Sequence, residues 1–536
     1  MGKGKKVLAL ILSLTLCASL LAACGGKSDE GSSSSSGSNT AAAEVNKEGF
    51  PIVNEPITLT MMGPDMGMAK WSDMLFFKEM EKKTGIKFEF QNAPNENFET
   101  KRQLVLASGD YPDVFFGGQF KAADEVNYGG QGILLPLEEY IDGGYAPNLK
   151  KILDENPDVR KSITTPDGHI YTLPFIDLAA VWYMGPMWYN GEFLKKLGYD
   201  EVPQTTDELY TYLKRVKTED PNGNGKADEI PLTSVKLNDG IRMWLMGSFG
   251  IGYEDIYADA NGKVSYAYTA DGYKDYLTFL NKLWNEDLLD HETFSQTNEQ
   301  KKAKGNNNQV ALFQDYHAYF TLGGEPSKED VMYQPVKSSV EGSPVAAKHP
   351  GLAKGPFAIS SANKHPEATM RWVDYFYSTE GSDFLVNGPE GLLFEYVNKD
   401  TFEKKRLDAP DGKDREEYRA TITPAYGINL PQIANEQTSN GFKDDFSKWL
   451  DEETAKKITP FARVPFPSIY LSQAEQDQVS AIRSDLKTYV EQMEAKFVTG
   501  QEPLSNYDKY IETANKMGAQ KMVDMYQAAY DQWKNQ

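Results

Sequence analysis

The sequence predicts an α/β protein with a mainly parallel sheet flanked by helices. Segments 57–63 (I-T-L-T-M-M-G), 86–90 (I-K-F-E-F) and 111–118 (Y-P-D-V-F-F-G-G) carry the apolar alternation or clustering of strands. Between them, segments 70–85 and 95–109 repeat apolar residues at helical spacing. A β-α-β-α-β order is typical of parallel strands joined by helices that pack on the sheet.

Later segments predict further helices. The segment 203–217 has a cap at Thr205 or Thr206, with Glu208 near the third helical position, and this pairing marks a helix start. The segments with helical periodicity after it are 272–286, 365–378 and most of 473–533. The polar segments 297–309 and 399–416 lack such periodicity, and we expect loops there.

The N-terminus has the order of a cleaved export signal, which we assign to residues 1–23. Lysines at positions 3, 5 and 6 precede the apolar run 7–16, and small residues cluster in L-A-A-C (21–24). An uncleaved membrane helix is the alternative, since the apolar run from Val7 to Cys24 approaches the length that spans a bilayer. The Gly/Ser-rich residues that follow predict a flexible tether over 24–49.

L-A-A-C also resembles the lipobox of bacterial lipoproteins. That resemblance implies a lipid on Cys24, which would anchor the protein to the outer face of a cell membrane, with a Gram-positive cell favoured. Cys17 leaves with the signal, so the folded part has no cysteine for a disulfide, a nucleophile or a metal site.

Composition narrows the function further. The net charge is −22, and loss of the three signal lysines makes it more negative, so a nucleic-acid partner or an anionic membrane surface is disfavoured. The chain lacks the short motifs of serine hydrolases, zinc proteases and nucleotide-binding loops, and its five histidines are scattered. We therefore expect no enzyme, although a glycosidase carboxylate pair stays open.

The segment D-P-N-G-N-G-K-A-D-E (220–229) begins like a calcium-binding loop. Asp220, Asn222 and Asn224 alternate, and Asp228 and Glu229 follow. A surface turn is the alternative, because Asp, Asn, Gly and Pro favour turns, but it does not explain the alternation. The twelfth position is a proline instead of glutamate, and a strand is expected next, which argues against a two-helix calcium sensor.

Several motifs in one order resemble the family 1 extracellular solute-binding proteins of ABC importers, in particular the alginate- and oligosaccharide-binding branch. These motifs are K-E-M-E-K-K-T-G-I-K (78–87), L-V-L-A-S-G-D-Y-P-D-V (104–114), M-W-Y-N-G-E-F-L-K-K-L-G (187–198), V-P-Q-T-T-D-E-L-Y (202–210), N-K-H-P-E-A-T-M-R-W-V-D-Y-F-Y-S-T-E-G (363–381) and G-P-E-G (388–391). They cover nearly all of the chain after the signal.

The resemblance implies a periplasmic-binding-protein-like fold of two lobes joined by a hinge, in which each lobe is a mainly parallel sheet flanked by helices. An N-lobe and a C-lobe close on a ligand in the cleft. The expected division is 50–180 for the first part of the N-lobe, 181–350 for the first part of the C-lobe, 351–400 for the return to the N-lobe, and 401–536 for the rest of the C-lobe with C-terminal helices.

The resemblance also implies a monomeric carbohydrate receptor that serves ABC permease subunits. The alternatives are a receptor for a peptide or another solute, and a surface enzyme that degrades polysaccharides. The relatives hold calcium in the loop that corresponds to 220–229. The resemblance therefore implies the side chains of Asp220, Asn222, Asn224, Asp228 and Glu229 and the carbonyl of Lys226 as calcium ligands, with magnesium as the lesser alternative. For each aromatic ligand candidate, core packing is the competing interpretation. The expected ligand-binding residues are Asp65, Trp71, Phe116, Gln119, Trp182, Trp188, Tyr189, Trp244, Tyr316 and Glu390.

Overall fold

A computed structural model describes residues 44–237 and 240–535. The signal, Cys24 and most of the predicted tether lie outside the described residues. The strands are β1 Ile57–Met62, β2 Pro64–Asp65, β3 Ile86–Phe90, β4 Ala93–Pro94, β5 Val114–Phe116, β6 Leu173–Asp177, β7 Met187–Tyr189, β8 Ile230–Leu232, β9 Ile256–Ala258, β10 Val264–Tyr266, β11 Val310–Gln314, β12 Val331–Met332, β13 Ala346–Ala347, β14 Leu352–Ile359, β15 Phe394–Asn398, β16 Glu403–Arg406, β17 Gln432–Ala434 and β18 Ala462–Arg463.

Helices surround these strands. They are α1 Leu75–Thr84, α2 Phe98–Ser108, α3 Ala122–Gly130, α4 Glu138–Tyr140, α5 Pro147–Glu155, α6 Pro157–Ile163, α7 Gly191–Lys196, α8 Thr206–Thr218, α9 Ile241–Met246, α10 Tyr273–Asn285, α11 Asn298–Asn306, α12 Tyr319–Leu322, α13 Pro366–Asp374, α14 Thr379–Asn387, α15 Arg415–Ile422, α16 Glu436–Ser439, α17 Asp445–Lys457, α18 Gln473–Val498, α19 Tyr507–Lys516 and α20 Ala519–Asn535. No helix of the described segments is both apolar and long enough to cross a membrane.

The first sheet confirms the predicted β-α-β-α-β unit. Its strand order is β17-β6-β14-β5-β1-β3, and β1 pairs in parallel with both β3 and β5. Strand β14 runs antiparallel to β5 and β6. The strand Gln432–Ala434 pairs with β6, so part of the range 401–536, which we expected in the C-lobe, belongs to the first sheet.

The second sheet has the order β12-β7-β11-β8. Only β11 and β8 pair in parallel, whereas β7 runs antiparallel to β11 and to β12. The sheet is therefore mixed instead of mainly parallel. The path of the chain explains this. Strand β7 follows a crossing between the sheets and runs away from that crossing, whereas β11 runs towards the same crossing and ends beside the start of β7.

The two largest hydrophobic cores of the described residues mark two lobes. Phe76, Phe116 and Trp372 belong to the core beside the first sheet, and Trp188 and Tyr273 belong to the core beside the second. The chain passes between them over 178–186, over 348–351 and between β17 and α17. The crossings touch one another, since the Leu178 amide donates to the Ala434 carbonyl at 2.8 Å and the Asp177 amide to the Gly351 carbonyl at 2.8 Å.

Local signals explain several helix boundaries. The Thr205 hydroxyl accepts from the Glu208 amide at 3.1 Å, as the predicted cap requires, and α8 begins at the next residue. Gly85 ends α1 at a φ of +79°, a conformation that glycine adopts without a steric penalty.

The predictions of loops at 297–309 and 399–416 are wrong. Residues 298–306 form α11, because the Thr297 hydroxyl and the Gln300 side chain make a capping box that satisfies the first turn. Residues 403–406 form β16 of a hairpin with β15. The tether also ends earlier than predicted, since Arg371 donates to the carbonyls of Asn46 at 3.1 Å and Gly49 at 3.0 Å.

Candidate functional site

The chain directions place several strand ends beside the crossings. In the second lobe, Gln314 at the end of β11 pairs with Met187, the first residue of β7 after its crossing. In the first lobe, the residues after β5 bond to the middle of β14, with the Gly118 amide donating to the Pro356 carbonyl at 2.8 Å. Ligands of α/β proteins bind beyond the carboxyl ends of such strands. The candidate site is therefore the cleft between these two edges.

The end of β5 closely approaches the residues after β1. Gly117 has a φ of +71°, and a Cβ there would lie 2.9 Å from Pro64 Cδ and 3.3 Å from Ile428 Cδ1. A larger residue would push these segments apart. This close approach brings Asp65 and Gln119, two predicted ligand residues, to the same edge of the lobe.

Both side chains are polar and at least partly accessible. Asp65 is half-buried, and its Oδ1 accepts from the Gly67 amide at 2.7 Å. Gln119 is exposed, and its amide group donates to Asn95 Oδ1 at 3.0 Å. The remaining lone pairs and N–H groups of these side chains can bond to ligand hydroxyls.

In the second lobe Tyr316, His317, Tyr319 and Phe320 follow β11, and Phe446 of α17 packs on His317 and Tyr319. We call these five residues the aromatic surface. Tyr316 is 55% exposed and Phe320 41% exposed. His317 stacks on Tyr319 with the ring planes 3° apart, and it contacts Phe446 at a centroid distance of 5.8 Å. Only Tyr316 was predicted from the sequence, although the run Y-H-A-Y-F directly after a buried strand was a usable signal.

Buried contacts hold the aromatic surface in position. The Trp188 indole donates to the Asp315 carbonyl at 3.0 Å, and Asp315 Oδ2 accepts from the Thr321 hydroxyl at 2.8 Å. Burial lowers the pKa of His317, so its ring is uncharged near neutral pH. A surface of uncharged rings favours contact with an apolar face of a ligand and does not attract an anionic ligand.

Five predicted ligand rings belong to the cores, and their assignment as ligand contacts is corrected for this conformation. Phe116, Trp188 and Tyr189 are fully buried, and Trp71 and Trp244 are almost so. Trp188 packs against Trp449 of α17 and Tyr189 against Tyr212 of α8, so helices on the sheet faces cover the two rings of β7. These rings have almost no accessible surface for a ligand, and they support the surrounding residues from the cores.

The two remaining candidates lie apart from one another. Trp182, in the first crossing, is half-buried, and its indole donates to the Thr454 hydroxyl at 3.0 Å. Glu390 lies on the first lobe after α14 and forms an ion pair with Lys399 at 2.7 Å. The residues that line the cavity around Glu390 all come from the first lobe, so it is not grouped with Tyr316.

The loop 220–229 folds around its own polar side chains. Asp220 Oδ2 accepts from the Gly225 amide at 3.0 Å, and Asn222 Oδ1 accepts from the Asn224 amide at 3.0 Å. The side chains of Asn222 and Asn224 both donate to Asp228 Oδ1 at 3.0 Å, and these bonds lower the pKa of Asp228. Strand β8 follows directly, as predicted.

Glu229 is the unusual member of this loop. It is 2% exposed, and its Oε1 has no hydrogen-bond partner. Burial, and then Asp220 and Asp228, raise the pKa of Glu229. A buried carboxylate near two others is unfavourable without a cation, so this set of oxygens fits a hard divalent ion. Over the described residues, no group of three His, Cys, Asp or Glu side chains is close enough to hold a metal ion.

Comparisons with known proteins agree with this architecture. Residues 68–383 match the family model of the bacterial extracellular solute-binding proteins. The chain is 30% identical to the fructooligosaccharide ABC transporter substrate-binding protein FusA of Streptococcus pneumoniae serotype 4, over 97% of each chain.

Solved structures of S. pneumoniae FusA share the fold. The complex with kestose is 28% identical, covers 89% of this chain and 100% of its own, and gives a TM-score of 0.67. An EF-hand mutant in complex with fructo-nystose is 27% identical with the same coverage and TM-score. The family match spans more than half of the chain and the FusA alignment nearly all of it, and the protein therefore belongs to the bacterial extracellular solute-binding proteins.

Proposed function

We propose that the protein is an extracellular receptor that captures an oligosaccharide between its two lobes and delivers it to the permease of an ABC importer. The observation that carries the proposal is the aromatic surface, exposed at the end of β11 beside the crossings. Sugar rings have apolar faces that pack on such rings. The relative FusA, named for fructooligosaccharide transport, supports the same class of ligand.

The two sides of the cleft have complementary roles. The aromatic surface would hold the apolar face of a sugar ring, while Asp65 and Gln119 would bond to its hydroxyls from the first lobe. A ligand that touches both lobes favours the conformation in which they approach each other, by its difference in affinity for the two conformations. The permease would then recognise the ligand-bound form, and no chemical step is required of the receptor.

An enzyme that degrades polysaccharides and a receptor for a peptide or another solute are the rival functions. The relatives reported above are named as binding proteins. Thermal denaturation with kestose and other neutral oligosaccharides separates the three functions. A receptor is stabilised and releases no product, whereas release of reducing ends by substoichiometric protein would establish an enzyme. Stabilisation by peptides alone would establish the other receptor.

The variant Tyr316→Ala tests the role of the aromatic surface. Loss of one stacking ring is expected to weaken sugar binding by roughly tenfold, measured by titration calorimetry. Val340→Ala is the matched control, because Val340 is equally exposed (56%) but lies outside the aromatic surface. Equal affinities of the wild type and Tyr316→Ala would remove Tyr316 from the site.

We also propose that the loop 220–229 binds calcium as a structural ion. The side-chain oxygens of Asp220, Asn222, Asn224, Asp228 and Glu229 and the carbonyl of Lys226 would be its ligands. Support comes from the buried, unpartnered Oε1 of Glu229 and from the EF-hand named for FusA. The ion would join the end of α8 to the start of β8, and magnesium is the rival ion.

The proposal includes a lipid anchor on Cys24, which lies outside the described residues. Mass spectrometry of the protein from its native membrane should show a lipid-modified N-terminal peptide that starts at Cys24. The variant Cys24→Ala is expected to lose this modification and to leave the membrane fraction. A variant that remains in the membrane would favour the uncleaved-helix alternative.

A further inference from the structure

A cavity lies on the first lobe, outside the cleft. It occupies about 460 Å³ between α1, α14 and the hairpin of β15 and β16, and we call it the first-lobe groove. This volume lies within the range of small-molecule sites, about 300–1,000 Å³. Its lining includes the rings of Phe384, Phe394, Tyr396 and Phe402, with charged side chains at the rim.

Aromatic rings line the groove at different angles. Phe394 and Tyr396 meet edge to face with centroids 5.3 Å apart, and Tyr396 and Phe402 meet similarly at 6.1 Å. Phe384, Tyr396 and Phe402 are half-buried, so each keeps accessible ring surface. The Tyr396 hydroxyl donates to the buried Asp383 at 2.8 Å, which fixes this ring relative to α14. The rings therefore form a preorganised apolar surface.

Charged side chains form the rim, and each carboxylate has a lysine partner. Glu390 pairs with Lys399 at 2.7 Å, and Glu380 pairs with Lys83 at 3.5 Å. The third rim carboxylate, Glu79, pairs with Lys82 at 2.7 Å, so its charge is also balanced by a lysine. The hydrogen bond from Lys399 lowers the pKa of Glu390, so its carboxylate is an ionised acceptor at neutral pH.

We propose that the first-lobe groove binds a neutral saccharide unit, as a second sugar site outside the cleft. The proposal rests on the proposed function for the class of ligand. Glu390, which the sequence singled out as a ligand residue, then has a role in this groove. Ring faces accept the apolar side of a sugar, and the paired carboxylates and ammonium groups bond to its hydroxyls.

The charges disfavour other ligands. A cation would need an unpaired carboxylate, but the three on the rim are each compensated by a lysine. The Lys83 ammonium already lies over the rings of Phe50 and Tyr375 at 4.5 and 4.7 Å, where a ligand cation would otherwise bind. An anion would find no unpaired ammonium group among the lining lysines, because Lys83 and Lys399 are each paired with a carboxylate. An uncharged ligand with many hydroxyls fits this balance best.

Photo-crosslinking locates the ligand directly. The purified full chain is labelled with diazirine derivatives of kestose and of a neutral gluco-oligosaccharide, and the modified peptides are mapped by mass spectrometry. We expect labels in the peptide that contains residues 389–402, in addition to labels near Tyr316. Phe402→Ala is expected to reduce the groove label by roughly tenfold and to leave the cleft label unchanged.

Two further variants make the result specific. Glu390→Ala removes a rim acceptor without touching the rings and should also reduce the groove label. Val397→Ala is the control, because Val397 lies on the same hairpin, is exposed and does not line the groove. Thermal denaturation of each variant verifies that it is folded.

The outcomes separate the groove from the cleft. Labels in the cleft alone would overturn the second site and leave the proposed function intact. Labels in the groove alone would support the second site and count against capture in the cleft. An absence of labels in both would overturn both for neutral saccharides, and a groove label that neither Phe402→Ala nor Glu390→Ala reduces would overturn the assigned geometry.

Discussion

Removal of calcium with a chelator is expected to lower the melting temperature of the protein by roughly 4 °C. An ion that binds only the folded state stabilises it by about 4 kcal/mol when its free concentration exceeds the dissociation constant a thousandfold. In the loop 220–229 the ion would also neutralise Glu229, whose buried Oε1 has no hydrogen-bond partner. Thermal denaturation with and without chelator measures the shift, and added calcium should restore the original value.

The double variant Asp220→Ala/Asp228→Ala identifies the loop as the source of this stabilisation. Its melting temperature should be low and insensitive to both calcium and chelator. Asp259→Ala is a matched control, because Asp259 accepts from the amides of Asn261 and Lys263 at 2.8 and 2.9 Å in another turn of similar composition. A chelator effect of unchanged size in the double variant would show that calcium binds elsewhere in the protein. If only magnesium restored the melting temperature of the wild type after chelation, the bound ion would be magnesium.

The features that the sequence predicted correctly are those with local causes. The first three strands of the parallel unit and α8 with its Thr205 cap depend on periodicity or on contacts within a few residues. The polar loop after α8 is likewise recognisable from alternation over ten residues. Each of these signals lies within about ten consecutive residues, so it can be recognised from the sequence alone.

The accessibility of the aromatic residues depends on distant partners. Trp188 and Tyr316 are both large rings near a crossing, yet Trp188 is buried and Tyr316 is exposed. The difference arises because Trp188 is covered by Trp449 of α17, which lies more than two hundred positions away in the chain. Neither ring carries a local signal for this. Helix α11 gives no periodic signal for a different reason, since its buried residues are Lys301 and Gly305 and only the capping box marks its start.

Charge pairs inside the second lobe were equally invisible to sequence analysis. Arg242 on α9 and Glu494 on α18 are 252 positions apart, yet Arg242 Nη2 donates to Glu494 Oε2 at 2.8 Å. Both residues are nearly inaccessible, at 4% and 2% side-chain exposure. Two tyrosine hydroxyls, of Tyr273 and Tyr276, also lie 3.4 Å from Glu494 Oε1. This network fixes the long C-terminal helix to the body of the lobe.

Glu494→Ala is expected to destabilise the protein by about 3–5 kcal/mol, because it leaves the Arg242 guanidinium buried without its principal partner. Glu254, at 3.2 Å from Arg242, is a weaker substitute and sets the lower part of that range. Urea denaturation monitored by circular dichroism measures the loss, and hydrogen exchange should show faster opening of α18. Glu491→Ala, one turn away on the same helix, is the control for a change in helix propensity.

The double variant Arg242→Met/Glu494→Leu distinguishes a specific pair from general sensitivity of this core. Removing both charges eliminates the buried unpaired group, so the double variant should recover much of the stability that Glu494→Ala loses. The two substitutions then show a large coupling energy in a double-mutant cycle, as expected for groups in direct contact. If Glu494→Ala cost less than about 1 kcal/mol, in the range of exposed ion pairs, water or Glu254 would be satisfying Arg242 and the pair would not anchor α18.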